Sequence, residues 1–418
     1  MTIHTIDSIV FNLPDEYTLA NNIPLFGFNG SQLDILRIDL VFNAGRSAEP
    51  EKLISESTAK LFKSGTATQT NFVLNDAIEF LGTTIKASSG YNSFTVSLYC
   101  MHRFLEPSLQ LLLTCLSDII FPENEIDELK KNAISKLKVN REKNDYLADV
   151  EFKKTLFGDN HPYGYETTED AILAINKNAI LQMYQQYITP ENATIFIAGK
   201  YDAAVIKLID NYIGNWSKPS IKTIVSNTLQ FSTNIKSLKK HIKKENAVQS
   251  SLVIGKILFN RHHKDYAGFV LLNTILGGYF GSRLMSNIRE EKGLTYGIYS
   301  VLLSIKEIGM FCVQTDTNLE NTELCLKEIY FEMERLQNEL IPEKEITQAR
   351  NYLLGKLLHR TDGPFNQIEL YKNYYLDGLP IHKFDDFVSS IQRADALSLQ
   401  QLAQQYLTKD SMLEVVVG

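Results

Sequence analysis

No run of the chain approaches the roughly 18 apolar residues that a membrane-crossing helix needs, so none of its segments reads as a span. The opening "MTIHTIDSIVFNLPDEY" has neither a basic start nor a long apolar stretch. It does not read as a secretory leader, and a cytoplasmic protein is expected. Cysteine is scarce. Cys100, Cys115, Cys312 and Cys325 show no C-x-x-C spacing, and each lies in an apolar strand or helix pattern, which predicts buried free thiols. Histidine offers no obvious metal pair. Of the eight, His262 and His263 are adjacent, while His4, His102, His161, His241, His359 and His382 have no histidine four residues away. Positive charge is not in excess either: 42 Lys and Arg face 49 Asp and Glu, for a net charge of −7. No basic face dominates, which excludes a nucleic-acid binder held by phosphate contacts. The one basic cluster, Lys239-Lys240-His241-Ile242-Lys243-Lys244, reads as a strand edge, where lysines discourage pairing with a foreign strand.

What is present is ample apolar material, 44% of 418 residues, enough for more than one core. The chain also repeats itself. Gln185-Gln186-Tyr187 and Gln404-Gln405-Tyr406 lie 219 residues apart. The same register pairs Gln182 with Gln401, Thr189 with Thr408, and "ATIFIAG" with "MLEVVVG". Each copy reads as a helix, a short turn and a buried strand. Upstream, both halves run from two strands through two helices to two alternating strands and then a long helical stretch. The fold expected is α+β, with two homologous domains at 1–218 and 219–418. Each would be a mainly antiparallel sheet with helices on one face.

The densest stretch is "LGGYFGSRLMSNIREEKGLTYGIYS" (276–300). A helical run precedes Gly277 and Gly278, which read as a helix terminus where glycine takes positive φ cheaply. That context, and the lack of a following Lys-Ser/Thr pair, argues against a phosphate loop. Ser282 reads as an N-cap and Gly293 as a terminator. Arg289 suits a helix end, and Tyr296 reads as opening an alternating strand.

Taken whole, "GGYFGSRLMSNIREEKGLTYGIYS" resembles the C-terminal signature of the M16 metallopeptidases, the pitrilysin and mitochondrial-processing-peptidase family. "NAGRSAEP", "LFKSGT", "IEFLGTTIKASSGYNSFTVSLYC" and "FGDNHPYG" resemble family segments in the family's order. The resemblance implies a zinc helix bearing H-x-x-E-H just before "LFKSGT". In this sequence Glu56, Ala59 and Lys60 stand at those His, Glu and His positions, and Lys136 at the distal ligand position. No metal site and no catalytic residue are therefore expected in this chain. Glu56 and Lys60 have the spacing of a helical ion pair. The resemblance further implies a zinc-free subunit. Arg289 and Tyr296 would hold peptide substrate for an H-x-x-E-H-bearing partner, with Gly277, Gly278 and Gly281 as the flexible substrate-contacting segment. Zinc would sit on that partner only, in a heterodimer, with a homodimer as the alternative for the isolated chain. The competing expectation is an inactive scaffold or peptide-binding protein.

Overall fold

A computed structural model describes residues 9–218 and 238–418. His4 and the interdomain boundary expected at 218/219, with the segment that follows it, lie at or beyond the edge of those residues. Six strands of the first half form one sheet: β1 (Asp15–Thr18), β2 (Pro24–Asn29), β3 (Ile35–Phe42), β4 (Thr84–Ser89), β5 (Phe94–Met101) and β6 (Ala193–Gly199). Their order is β1-β2-β6-β3-β5-β4. The second half supplies β7 (Leu238–Ile242), β8 (Gln249–Leu258), β9 (Ile298–Ser304), β10 (Gly309–Asn318) and β11 (Leu413–Val417), in the order β7-β11-β8-β10-β9. Apart from β1 the two topologies are the same. Each sheet is antiparallel except for one parallel pair, β2 with β6 and β7 with β11.

The internal repeat is visible in the elements themselves. The helices Lys177–Tyr187 and Ala396–Tyr406 lie 219 residues apart, each followed by a single 3-10 turn and then by β6 or β11. These strands have strands on both sides and helices over both faces, which explains their nearly unbroken apolar runs. Among the described residues β7, which carries Lys239 and Lys240, is an edge strand, as its charge suggested. All four cysteines are buried free thiols.

One face of each sheet is covered by helices of its own half, giving the two main cores. The other face is covered by a helix from the opposite half. Ala148, Phe152 and Leu156 of the helix Asn144–Phe157 pack on Val253, Met310, Cys312 and Val415 of the second sheet. Ile368 of the helix Gly363–Leu376 packs on Phe28, Val41, Phe196 and Ala198 of the first. These two helices are again 219 residues apart, so the halves exchange equivalent elements. Beneath the second of them lies an ionic cluster. Asp39 on β3, fully buried, accepts from Lys372 Nζ at 2.7 Å and Arg37 Nη2 at 2.6 Å, and Lys372 also reaches Glu369 at 2.9 Å. A buried carboxylate is tolerable only with such partners, because its desolvation costs several kcal/mol or more when unpaired.

Candidate functional site

The helix that the family resemblance places at the zinc position spans Ile54–Lys60. Its entry is irregular, with Leu53 at φ 70 and no side-chain cap. Polar side chains on its inner face are satisfied locally: Ser57 Oγ donates to the Leu53 carbonyl at 2.7 Å, and Thr58 Oγ1 to that of Ile54 at 2.8 Å. Nearby, Glu49 accepts from the Ser55 amide at 3.0 Å and from the Tyr165 hydroxyl at 2.7 Å. Burial raises the Glu49 carboxyl pKa despite those bonds. Lys60 Nζ sits 2.7 Å from Glu56, and both side chains are about half exposed. Burial alone would raise the Glu56 carboxyl. The bond from Lys60 and the fields of Lys60, Arg46 and Lys136 outweigh it, so its pKa falls below the ordinary value.

This donor set does not fit zinc. Four-coordinate sites take imidazole, thiolate or carboxylate donors, and catalytic ones keep a position for water. Here the single carboxylate is already held by an ammonium, Ala59 offers a buried methyl, and two ammonium groups can only donate. The expected ion pair is present. A closed three-residue cluster is not: Lys136 is exposed and contributes its field without a salt bridge.

The second group forms one local unit. The helix Tyr266–Asn273 runs into a π-helical turn, Thr274–Gly278, and a further helix ends in the π-helical segment Met285–Glu291. Gly277 and Gly278 do not take the positive φ expected of them. Gly277 is required for another reason: a Cβ there would lie 2.7 Å from the Ser300 amide nitrogen and Oγ on β9, so the turn packs directly on the strand backbone. Gly293, at φ 62, does act as the terminator, with the Leu294 amide reaching back to Ile288. Ser282 caps only through its backbone carbonyl, which accepts from the Ser286 amide. Its buried hydroxyl has no hydrogen-bond partner.

Arg289 and Tyr296 are coupled, though not side chain to side chain. Arg289 Nε donates to the Tyr296 carbonyl at 3.0 Å, and the guanidinium lies 5.0 Å from the centre of the Phe280 ring. The Tyr296 side chain is 95% exposed. Contrary to the strand expected from its alternating surroundings, Tyr296 lies in a bend, and β9 begins only at Ile298. Thr295 Oγ1 donates to the Gly297 and Asp316 carbonyls, which turns the chain outward just before the strand. The helix carrying Arg289 is anchored below by Asn287, whose amide donates to Glu328 at 3.1 Å and Glu332 at 2.8 Å, and by a Lys292–Glu328 bridge. Gly281, beside the Tyr279 ring, completes the turn. Phe280 escaped the sequence reading, although a large aromatic inside a glycine-rich turn is itself a signal of exposed surface. Among the described residues, no hydrogen bond or ion pair connects this unit to the Glu56 helix.

Two pseudo-repeated α+β lobes, each a mainly antiparallel sheet with helices, define a two-lobed α+β fold. Residues 174–353 match the family model described as the peptidase M16 inactive domain. The chain is 24% identical over 412 residues to an uncharacterised zinc protease, YmxG, of Bacillus subtilis, covering 96% of this chain and 97% of that one. A Helicobacter pylori relative, 22% identical and covering 87% of this chain and 84% of its own, is named a non-peptidase homologue. A Pseudomonas fluorescens structure described as a peptidase M16 inactive domain superposes with a TM-score of 0.83 at 22% identity, over 97% of this chain and 98% of that one. Residues 174–353 thus carry the likeness to the peptidase M16 inactive domain, and the chain as a whole shares its fold with solved M16-type structures.

Proposed function

We propose that this chain is the non-catalytic subunit of an M16-type zinc peptidase, and that it supplies peptide-binding groups to an H-x-x-E-H-bearing partner. The observation that carries this reading is the exposed Tyr296 phenol. It projects from a backbone gripped by Arg289, beside the exposed Phe280 ring and a glycine turn packed against β9. Tyr296 adds little to the core, while the groups around it fix its backbone.

In a heterodimer the partner would hold the zinc and its activated water. This chain would bind and orient substrate. The Tyr296 hydroxyl is suited to donate to a carbonyl oxygen as it gains charge, and the guanidinium nitrogens of Arg289 not bonded to Tyr296 are suited to a substrate carbonyl or carboxylate. A second reading has its own support in the relative named a non-peptidase homologue. On that reading the same surface binds peptide in a scaffold with no catalytic partner. The two are separated by mixing the purified chain with an H-x-x-E-H-bearing M16 chain from the same genome. A stoichiometric complex that cleaves peptide faster than the partner alone supports the first. Peptide binding without a complex, or a complex without added activity, supports the second.

A further inference from the structure

A cleft of about 860 Å³ opens in the second half beside the glycine turn, reaching from Gly277 and Gly278 along the helix Glu343–Arg360 to the helix Lys383–Arg393. Its walls include the rings of Tyr266, Tyr352, Tyr374 and Phe387. Its charge is unlike that of the rest of the chain. Six Lys and Arg line it, Arg261, Lys264, Lys356, Arg360, Lys383 and Arg393, against a single carboxylate, Asp386, in a protein of net charge −7. Two of those cations are neutralised, Lys383 by Asp386 at 2.9 Å and Arg261 by Asp377 at 2.9 Å. Among the described residues, Lys264, Lys356, Arg360 and Arg393 form no salt bridge.

A solvated basic rim is the ordinary explanation of surface cations, and the helix dipole accounts for Arg360 at its helix C-terminus. Neither explains why Lys356 sits one turn before Arg360. Like charges four apart on a helix repel by a few tenths of a kcal/mol, and no carboxylate intervenes to relieve them. Tyr352, Lys356 and Arg360 form an i, i+4, i+8 row, and all three line the cleft. Successive members of that row rise about 6 Å along the axis. Alternate side chains of an extended peptide are spaced by about 6.6 Å. The two spacings match.

We propose that this cleft binds an extended acidic peptide segment, with an apolar residue against Tyr352 and acidic residues at the next two alternate positions facing Lys356 and Arg360. The proposal rests on the peptide-binding reading above and names the class of peptide. The same peptide would continue across Gly277 and Gly278 toward Arg289 and Tyr296.

The test is fluorescence anisotropy with labelled nine-residue probes. One carries Phe, Glu and Glu at alternate positions, a second replaces both Glu by Gln, and a third places the two Glu side by side. The first should bind at least tenfold more tightly than the second and several-fold more tightly than the third. The Lys356→Glu/Arg360→Glu protein should lose the preference for Glu over Gln. Lys356→Gln/Arg360→Gln provides the same test if charge reversal disturbs folding, which a thermal melt reports. Equal binding of the Glu and Gln probes, an unchanged preference in the double variant, or equal affinity for inorganic polyphosphate would each overturn the proposal. If the Glu preference is absent while a complex with the zinc-bearing partner still shows added cleavage, this inference fails and the subunit reading survives. If none of the probes binds and no complex forms, the subunit reading fails with it.

Discussion

Lys60 neutralises Glu56 at a helix position where the family resemblance implies a second imidazole, and Ala59 turns the place of the general base into a methyl group. The pair is half exposed, so its contribution to stability is a few tenths of a kcal/mol at most. Its consequence is chemical, because the one carboxylate that could meet a metal is already engaged. Equilibrium dialysis against zinc should leave far less than one ion per chain, and Glu56→Ala should not change that residual binding. One tightly held zinc, lost in Glu56→Ala, would contradict this. Tyr296 gives the opposite kind of prediction. With its ring almost wholly in solvent, Tyr296→Phe should leave the melting temperature unchanged, so any loss of activity belongs to the hydroxyl. Arg289→Ala removes the hold on the Tyr296 carbonyl as well as the proposed substrate contact. It should therefore lower kcat and raise KM together in the assembled enzyme. Glu56, Ala59 and Lys60 at the positions that the family resemblance gives to zinc ligands and base were legible from the sequence because a missing motif is a matter of counting. The coupling of Arg289 to Tyr296 was not, since it runs through a backbone carbonyl that no side-chain pattern reports.

At the scale of elements, stability depends on the two exchanged helices as much as on each half's own core. Phe152 is fully buried against the sheet of the other half, so Phe152→Ala should cost about 3–5 kcal/mol in urea denaturation. A loss below about 1 kcal/mol would mean that the helix does not seal that sheet. Gly277→Ala should lower the melting temperature and weaken peptide binding, because the added methyl meets the Ser300 backbone and the turn must lift away from β9. The 219-residue repeat was legible in identical residues and proved to govern helix, turn and strand alike. The exchange was hidden because periodicity marks an apolar helix without saying what it faces. In Asn144–Phe157 the pattern is further blurred: Tyr146 packs on the first core while Ala148, Phe152 and Leu156 pack on the second sheet. Tyr296 departs from the strand that its surroundings suggest for a local reason, since Gly293 and the Thr295 hydroxyl bend the chain before the alternation takes hold.

Across the whole molecule, Asp39 ties the first sheet to a helix of the second half through Lys372, and Arg37 and Glu369 complete the charge balance. Burial would raise the Asp39 pKa, but the charges and bonds of Lys372 and Arg37 hold it below the ordinary value. A folded-state pKa below the unfolded one means stability that is present above the unfolded value, about 3.9, and is lost as pH falls through the folded value. Stability should therefore decline more steeply below about pH 4 in the wild type than in Asp39→Asn. That variant should itself be weaker at neutral pH, because it leaves the buried Lys372 and Arg37 with Glu369 as their one remaining carboxylate. Parallel acid limbs would show that Asp39 does not carry this linkage. The halves so joined carry the 95% exposed Tyr296 phenol, and the decisive measurement of the proposed role is made there: peptide cleavage by a verified complex with an H-x-x-E-H-bearing subunit, comparing wild type with Tyr296→Phe. The expected result is unchanged assembly with kcat lower by about 10²-fold or more, the usual effect of removing one preorganised oxyanion donor. An assembled Tyr296→Phe complex with wild-type kcat and KM would contradict the substrate-site role of this chain.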